Sequence, residues 1–591
     1  MSARLEASWL ALPESLRGRL ALASTGWRHL AGAGAHCLAL ARADTRGEAR
    51  ALCALAADLL LWAFGENPLS GPLAAEILAA PELPLSAPTR RALAAVAQGW
   101  RAPDAKAGGM AYFERLARRR DTEKLAAFLT AQVDKDPAGL FWRDKALGLA
   151  LYCGENELSQ SLERTALSGL QDMPGLAPAA RMLAAQSAFL RGDLDFCLDE
   201  LVGDPAPMQE AFGPACAASR AGLALLAAGE DTAALGLLRQ CLAAAPWQAS
   251  LARVAADAAS GLRHRRTPPP GPALVMLYTW NKAADLDATL GSLAASDLAT
   301  KGGGRARVLV LDNGSTDATP HVLDAWTARL GEGLLRLSLP VNIGAPAARN
   351  WLAATPEARA AETLVYLDDD VDLPPDWLQR LGAGLEHRPE AGVVGCLVAD
   401  FHAPHLLQNA AGRLVVPDDT MSDTADGAPE NRPPLDFQSL TPNPFRLLDA
   451  HLQGPDWGLF GHMSDCVSVT GCCHLFRRRA LDAPADQGGG FSLALGPSQY
   501  DDFERDLRMA ACGRLALCQG HLRVRHRKRS GLAAQGTEGG DASSNALGNR
   551  YKMQTMHPRE EIAAIINAQA RQLDRDAAAA LALLDRDQGA A

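Results

Sequence analysis

The sequence lacks the long apolar runs that membrane-spanning helices need. No run reaches about 18 uncharged apolar residues, and the apolar stretch at 52–64 is broken by Asp58. Residues 1–20 hold no basic segment followed by an uninterrupted apolar core, as a secretory signal would. We therefore expect a cytoplasmic protein without a transmembrane segment, with peripheral attachment to a membrane as the open alternative.

Cysteine is also scarce, and its pattern excludes a disulfide framework and a thiolate zinc site. The twelve cysteines are scattered among mostly apolar neighbours, and the only adjacent pair is Cys472-Cys473. No two of them have the C-x-x-C spacing of a zinc site. Reduced, buried thiols are therefore expected, as in a cytosolic protein.

An excess of positive charge is absent as well. The chain has 58 Lys and Arg against 68 Asp and Glu, which gives a formal net charge of −10. This balance gives no reason to expect nucleic acid as a partner. With 591 residues, of which 48% are hydrophobic, the chain is long enough for about two to four domains with buried cores.

The first part of the chain has the pattern of an all-α domain. Residues 1–262 are rich in Ala and Leu at helical spacing and have few β-branched runs. Gly154, Gly192 and Gly229, spaced by 38 and 37 residues, each separate two apolar helical segments. This pattern resembles degenerate tetratricopeptide repeats, whose period is about 34 residues, and a generic helical bundle is the alternative. A repeat domain would suit a protein partner.

Proline marks the end of this helical part. The segment 263–272 contains four prolines, which restrict both themselves and the residues before them. We take 263–272 as a linker, 273–540 as an α/β domain and 541–591 as a C-terminal helical tail. Residues 559–586 of that tail have the apolar stripe of an amphipathic helix, which would pack on the protein or form a dimer contact.

Strands alternate with helices from Ala273 onward. This alternation predicts right-handed βαβ units and a mostly parallel, doubly wound sheet, whose ligands bind at the carboxyl edge of the strands. Each early strand ends in a polar motif. The four motifs are Thr279-Trp280-Asn281-Lys282, Asp312-Asn313-Gly314-Ser315-Thr316-Asp317, the stretch 342–350, and Asp368-Asp369-Asp370.

The aspartate triplet indicates the chemistry at this edge. It follows the apolar run 364–367 directly, so three carboxylates leave a buried strand together and repel one another unless a cation is present. Mg²⁺ and Mn²⁺ take oxygen ligands, and Mg²⁺ is commonly held by carboxylates and substrate phosphates. The residues alone therefore predict a site for a divalent metal and a diphosphate.

In their order on successive strand ends, these motifs resemble those of the family-two glycosyltransferases, which have the GT-A fold and use nucleotide-diphosphate sugars. The resemblance implies that Asp312 faces the nucleoside and that Arg349 approaches the nucleotide. By the same resemblance, Asp368 faces the ribose or the metal, and Asp370 binds the metal. Thr279 and Asn281, in the first motif, complete the expected nucleotide-sugar contacts.

The resemblance extends downstream to the acceptor side. Residues 469–478 are similar to the family's acceptor-side strand, and 500–513 contain its E-D-x-D pattern with Asp for Glu and Glu for Asp. The implied general base is Asp502, with Asp501 as the alternative because these two departures leave the register open. A base is needed since an acceptor hydroxyl is a poor nucleophile until its proton is removed.

The basic segment 523–530 supplies the last implied ligand. In related family members a histidine at about this point completes metal coordination, which would make His526 a metal ligand beside Asp368 and Asp370. A structural or surface role is the alternative for this histidine. The segment is short and lacks interleaved aromatic residues, so it does not suggest a nucleic-acid site.

The sequence thus predicts a helical domain joined to a hexosyltransferase-like GT-A domain. The expected reaction is an inverting, Mn²⁺- or Mg²⁺-dependent transfer of a sugar from a nucleotide diphosphate to a hydroxyl of a glycan, lipid-linked or protein acceptor. A catalytically silent scaffold or protein-interaction module is one alternative, and a nucleotidyltransferase is another. The last predicts a glycine-rich phosphate loop after the first strand, which Thr279-Trp280-Asn281-Lys282 is not.

Overall fold

A computed structural model describes most of the chain. The described residues are 5–22, 26–104, 108–154, 156–415, 446–448, 454–528, 545, 548–549, 551–553 and 555–587. They form an all-helical N-terminal part, an α/β part and a long C-terminal helix, which is the order of fold classes that the sequence predicts. Of the helices described, none combines the length and the apolar character needed to cross a membrane.

The N-terminal part buries a large core of Leu, Ala and aromatic side chains and a smaller, separate core between α8, α9 and α10. Several of its helices begin at residues whose side-chain oxygen accepts a backbone N–H of the first turn, as Ser70, Ser86 and Asp121 do. The helices are α1 (Leu5–Leu10), α2 (Glu14–Leu20), α3 (Trp27–Arg42), α4 (Ala49–Glu66), α5 (Gly71–Leu78), α6 (Ala87–Gly99), α7 (Gly108–Arg119), α8 (Thr122–Lys135), α9 (Phe141–Cys153), α10 (Glu157–Leu167), α11 (Ala177–Arg191), α12 (Leu194–Val202), α13 (Ala206–Phe212), α14 (Pro214–Ala228), α15 (Asp231–Ala244) and α16 (Ala249–Ala259).

The three glycines singled out by their spacing end helices. Gly154, Gly192 and Gly229 have φ values of 81°, 76° and 86° and follow α9, α11 and α14 directly. A positive φ at these positions favours glycine, because a Cβ would strain the backbone there. The helix–glycine–helix turns therefore lie where the sequence placed them, whereas the tetratricopeptide classification stays a prediction.

The α/β part begins directly after the proline-rich segment, at Ala273. Its strands are β1 (Ala273–Thr279), β2 (Arg307–Asp312), β3 (Leu334–Ser338), β4 (Thr363–Leu367), β5 (Val371–Asp372), β6 (Val394–Asp400), β7 (Leu406–Asn409), β8 (Arg413–Val415), β9 (Arg446–Leu448), β10 (Gly454–Pro455), β11 (Met463–Cys466), β12 (Cys473–Arg477) and β13 (Ala516–His526). Its helices are α17 (Ala283–Ala294), α18 (Thr319–Leu330), α19 (Ala345–Ala353), α20 (Pro356–Ala360), α21 (Trp377–His387), α22 (Arg478–Leu481) and α23 (Asp501–Ala511).

Eight of these strands form a mixed sheet in the order β10-β7-β6-β12-β4-β1-β2-β3, which β13 joins beside β6 together with β5 and β11. β8 and β9 pair in a separate two-stranded sheet. The neighbours β4, β1, β2 and β3 are parallel, while β12 runs antiparallel to both β4 and β6. Alternate residues of β1 enter different cores, since Leu274 and Met276 pack on one face of the sheet and Val275 and Leu277 on the other. The parallel half of the sheet is the half whose strands end in the polar motifs.

Two features of the α/β part depend on pairing between distant strands. β13 continues to His526, because the edge of β6 offers partners for Arg523 through His526. The stretch 401–465 contains the short strands β7, β8, β9 and β10 and the start of β11 among its described residues. Both features depend on pairing with other strands, which local periodicity does not reveal.

The C-terminal helix, α24 (Arg559–Asp587), packs back on both parts of the protein. Asp574 accepts a hydrogen bond of 2.8 Å from Trp9 Nε1 of the helical part. Gln569 bonds both the backbone N–H and the carbonyl of Leu414, at 3.1 and 2.9 Å, in the α/β part. This helix therefore joins the two parts.

The two parts also contact each other directly. Asp257 of α16 accepts hydrogen bonds of 2.8 Å from the Met463 backbone and from His521 Nε2. The guanidinium of Arg220 lies 4.7 Å from the ring centroid of Trp457. Beside this contact the helical part and the segment 454–460 enclose a cleft of about 1350 Å³.

Candidate functional site

The predicted polar motifs meet at one edge of the sheet. Thr279, the last residue of β1, is the register partner of Asp312, the last residue of β2. Leu367, which ends β4, pairs with Leu277 of β1, so the aspartate triplet begins at the same edge. Parallel strands bring the three motifs together because their carboxyl ends point the same way.

Hydrogen bonds join the first two motifs to each other. Asn281 has a φ of 53°, and its Oδ1 accepts the Thr316 N–H at 2.7 Å. Asp312 is buried, and its Oδ1 accepts the Ser315 N–H at 2.9 Å. Thr279 is buried beside them, whereas Asn281 is exposed. These predicted nucleotide-sugar residues therefore line one loop pair, and Asp312 and Asn281 also shape it.

Three side chains form a group that could hold a metal ion. One ligand atom each of Asp368, Asp370 and His526 lies within 4.8 Å of the others. His526 Nε2 is 3.0 Å from Asp370 Oδ1, and its Nδ1 is 2.9 Å from Gln408 Oε1, a contact that orients the ring toward the carboxylates. Two carboxylates and one imidazole suit Mn²⁺ or Mg²⁺. The residues present thus fit the predicted metal.

The electrostatics of this site differ between its carboxylates. Burial opposes ionisation of Asp370, but the hydrogen bond and charge of His526 and the charge of Lys282 lower its pKa overall. Burial raises the pKa of Asp368, and it raises the pKa of Asp369 to about 6. Burial also works against the charged imidazole, yet the bond and charge of Asp370 raise the pKa of His526. Asp370 is therefore the carboxylate of the triplet that its surroundings keep ionised.

Sequence analysis assigned no role to Lys282, although it belongs to the first motif. Its Nζ lies 2.7 Å from Asp370 Oδ2 and 3.0 Å from Asp369 Oδ1. Gln408, the partner of His526, lies in 408–412, a stretch that resembles a family turn near the donor or acceptor sugar. The sequence does contain a signal for the role of Lys282. This lysine follows the end of β1 closely, and β1 ends at the same sheet edge at which the triplet begins.

Arg349 connects the donor and acceptor sides. Its Nη1 donates a 2.6 Å hydrogen bond to Asp501 Oδ2, and its Nη2 lies 3.7 Å from Asp368 Oδ1. The guanidinium sits between the rings of Tyr278 and Phe491, 5.6 and 5.2 Å from their centroids. Burial opposes its charge, but the nearby Asp501 keeps the pKa of Arg349 above its usual value. Arg349 is therefore a fixed cation.

The two candidate bases have different surroundings at the start of α23. Asp501 is almost fully buried against Arg349, with 3% of its side chain exposed. Burial is the main cause of the raised pKa of Asp501, against the charge of Arg349. Asp502 is less buried, and its Oδ2 accepts the Gly471 N–H at 2.6 Å.

The loop at Gly471 and Cys472 joins the triplet to α23. The Asp368 N–H donates to the Cys472 carbonyl at 3.1 Å, while the neighbouring Gly471 N–H holds Asp502. A Cβ on Gly471 would lie 2.6 Å from Arg349 Nη2 and 2.8 Å from Asp502 Oδ2. A residue without a side chain is therefore required for this close packing.

Comparison with known proteins identifies similar solved structures. GalNAc-T7 with UDP, GalNAc and Mn²⁺ is 15% identical with a TM-score of 0.33, over 44% of each chain. The mannosyltransferase PcManGT from Pyrobaculum calidifontis in complex with GDP-Man and Mn²⁺ is 18% identical with a TM-score of 0.31, over 56% of this chain and 86% of the other. S. aureus TarS is 15% identical with a TM-score of 0.28, over 44% of this chain and 37% of the other. The chain thus spans less than half of the first and third of these.

No curated protein was found to match the sequence. Residues 274–422, however, match the model of the family described as Glycosyl transferase family 2. The matched range contains β1 to β4 and the aspartate triplet, while Asp502 and His526 lie beyond it. The α/β part thus has a mixed sheet with a parallel half, as expected of a GT-A fold, and its residues 274–422 are similar to the family-two glycosyltransferases.

Proposed function

We propose that the protein transfers a sugar from a nucleotide-diphosphate donor to an acceptor hydroxyl, with inversion at the anomeric carbon. The observation that carries this proposal is the connection between Asp368 and Asp502 through two successive residues, Cys472 and Gly471. It brings a metal-binding carboxylate and a candidate base to one site. A single displacement needs both at the reacting carbon.

The donor half of the site consists of the motifs that follow β1, β2 and β4, together with His526 and Arg349. Asp368, Asp370 and His526 would hold Mn²⁺ or Mg²⁺, which when bound stabilises the negative charge of the leaving diphosphate. Asp312, Thr279 and Asn281 would contact the nucleoside. Arg349, which is fixed by Asp501, would offer its remaining N–H groups to the nucleotide. The nucleotide complexes of the similar structures are consistent with such a donor.

Asp502 is the preferred base. Asp501 is committed to Arg349 at 2.6 Å and is nearly closed to solvent, so an acceptor hydroxyl could reach it only if that ion pair opened. Asp502 keeps Oδ2 on the Gly471 N–H, which fixes the carboxylate, and it is only partly buried. Proton removal by Asp502 would then accompany attack of the hydroxyl on the anomeric carbon.

The helical part would serve the acceptor or a protein partner. The cleft of about 1350 Å³ is walled by several helices and by the segment 454–460 of the α/β part. One wall of the cleft includes β10 and His405. β10 pairs with β7, and β7 carries Gln408, the partner of His526. A glycan, lipid-linked or protein acceptor that occupied the cleft would thus lie against β10, next to the strand that carries Gln408. The cytoplasmic location stays a prediction.

A donor panel tests the proposal. The full-length protein is incubated with UDP- and GDP-sugars and Mn²⁺ or Mg²⁺, and release of the nucleoside diphosphate is measured. We expect turnover with at least one donor. Asp370→Ala should abolish metal-dependent donor binding, whereas Asp502→Asn should retain binding and lose about 10²–10⁴-fold in turnover, as removal of a general base does.

Asp324→Asn is the matched control, because Asp324 is an exposed aspartate on α18, paired with Arg336. It should leave turnover unchanged. Absence of donor binding would contradict the proposal and favour a silent scaffold. Unchanged turnover in both Asp370→Ala and Asp502→Asn would also contradict it.

A further inference from the structure

Lys282 lies among the carboxylates of the donor half. Its Nζ is 2.7 Å from Asp370 and 3.0 Å from Asp369, whose side chains are only 3% and 9% exposed. Buried carboxylates are costly unless a cation offsets them. The ammonium contacts both carboxylates directly. Lys282 therefore supplies positive charge where the triplet needs it.

Lys282 occupies an oxygen that a metal ion would need. Both oxygens of Asp370 are engaged, Oδ1 by His526 at 3.0 Å and Oδ2 by Lys282 at 2.7 Å. A divalent cation bound to Asp370 would compete with the ammonium for this carboxylate and repel it at short range. Lys282 cannot keep its present contacts unchanged when such an ion is bound.

Other nearby cations are held elsewhere. Arg349 is tied to Asp501 with 5% of its side chain exposed, and Arg525 is paired with Asp372 at 2.7 Å. The Arg527 guanidinium lies over the Phe401 ring, 4.1 Å from its centroid. Lys282 differs because its ammonium contacts Asp370 itself, and its four-carbon stem lets the ammonium move.

We propose that Lys282 exchanges partners during donor binding: its ammonium leaves Asp370 when the metal binds and pairs with the diphosphate of the donor. The proposal rests on the function proposed above. It makes Lys282 a positioning residue that couples two ligands. Metal alone must displace a bound cation, whereas metal with diphosphate gives that cation a new partner, so the two ligands should bind cooperatively.

Mn²⁺ binding to the full-length protein tests this exchange. Free Mn²⁺ is measured by its electron paramagnetic resonance signal, with and without UDP or GDP. In wild type, either UDP or GDP should strengthen Mn²⁺ binding. Lys282→Met should bind Mn²⁺ alone about tenfold more tightly than wild type, within the usual range of coupling between two ligands, and should gain less from the nucleotide.

The comparison variants separate charge from structure. Lys282→Gln carries the same expectation as Lys282→Met, so it replaces the latter if that variant fails to fold. Lys282→Arg keeps the charge and should keep the weak binding of Mn²⁺ alone. Lys301→Met removes an exposed lysine that is paired with Glu386, and it should match wild type throughout.

The outcomes distinguish the two proposals. Tighter Mn²⁺ binding in Lys282→Met with reduced cooperativity supports the exchange. If Mn²⁺ binds wild type and Lys282→Met equally, with the same gain from UDP or GDP, the exchange is overturned while the metal site stands. If no form binds Mn²⁺ even with UDP or GDP, both the exchange and the metal dependence of the proposed function are overturned.

Discussion

At the scale of single residues, the junction between the two halves of the site depends on Gly471. Its N–H holds Asp502, and the space that a side chain would need is filled by Arg349 and Asp502. Arg349 cannot yield easily because it is buried and tied to Asp501. Gly471 therefore fixes the position of Asp502, the proposed base, relative to Arg349.

Gly471→Ala should disable the site while the protein stays folded. The added methyl would displace Asp502 or Arg349, and a shift of about 1 Å in a catalytic group can cost about 100-fold in rate. We expect a fall of that order in kcat with the active donor, and a smaller change in thermal unfolding. Gly333→Ala is the control, because nothing lies within 4 Å of a Cβ there. Full activity of Gly471→Ala would contradict this role.

At this scale, the sequence predicts the positions of residues that end or directly follow a strand. The positions of Asp312, Asp368 and Asp370 follow from strand ends, because parallel strands share an edge. The ion pair of Arg349 with Asp501 could not be predicted this way, since the two residues are 152 positions apart in the sequence and meet only in the folded chain. The contacts of Lys282 with the triplet also depend on the path of its side chain, which periodicity leaves open.

At the scale of elements, α24 is the helix that holds the N-terminal and α/β parts together. Its Leu573, Leu581 and Leu584 belong to the core of the helical part. Ile562 and Ile565, nearer its start, pack with Leu507 of α23. The helix that positions Asp501 and Asp502 is therefore supported by the same element that closes the helical core.

Leu581→Ala should destabilise the protein strongly. Leu581 is fully buried, and a Leu-to-Ala change in a core costs about 2–5 kcal/mol in the free energy of unfolding. Urea unfolding followed by circular dichroism measures the loss. Arg571→Ala, at an exposed position of the same helix, should change the free energy of unfolding by less than about 0.5 kcal/mol. Equal midpoints for the two variants would show that α24 is not part of the core.

Elements were predicted well where their signal is local. The amphipathic stripe at 559–586 predicts α24 within a residue of its bounds, and the apolar run 364–367 predicts β4 within a residue. The extension of β13 to His526 was not predictable, because its pairing partner, β6, lies more than a hundred residues earlier. Sequence alone could place His526 in a motif, but not on a strand beside Asp400.

At the scale of the whole molecule, the helical part is too closely joined to the α/β part to act as an independent appendage. Asp257 accepts hydrogen bonds from both Met463 and His521, and Leu459 is buried in the helical core. The cleft lies at this junction and shares walls with β10. An acceptor bound there would be held in a fixed position relative to the donor half, which favours its proposed role.

Gly148→Arg tests that role. Gly148 lines the cleft on an exposed face of α9 where a Cβ meets nothing within 4 Å, so arginine fits the helix while it fills the cleft. With the radiolabelled active donor and an extract of the producing cells, we expect incorporation into acceptor material to fall about tenfold, equivalent to about 1.4 kcal/mol of binding. Donor hydrolysis should not change, because the donor half is untouched. Gly236→Arg is the control, because Gly236 is an exposed residue of α15 outside the cleft lining, and this variant should change neither quantity. Normal incorporation by Gly148→Arg would exclude the cleft as the acceptor site.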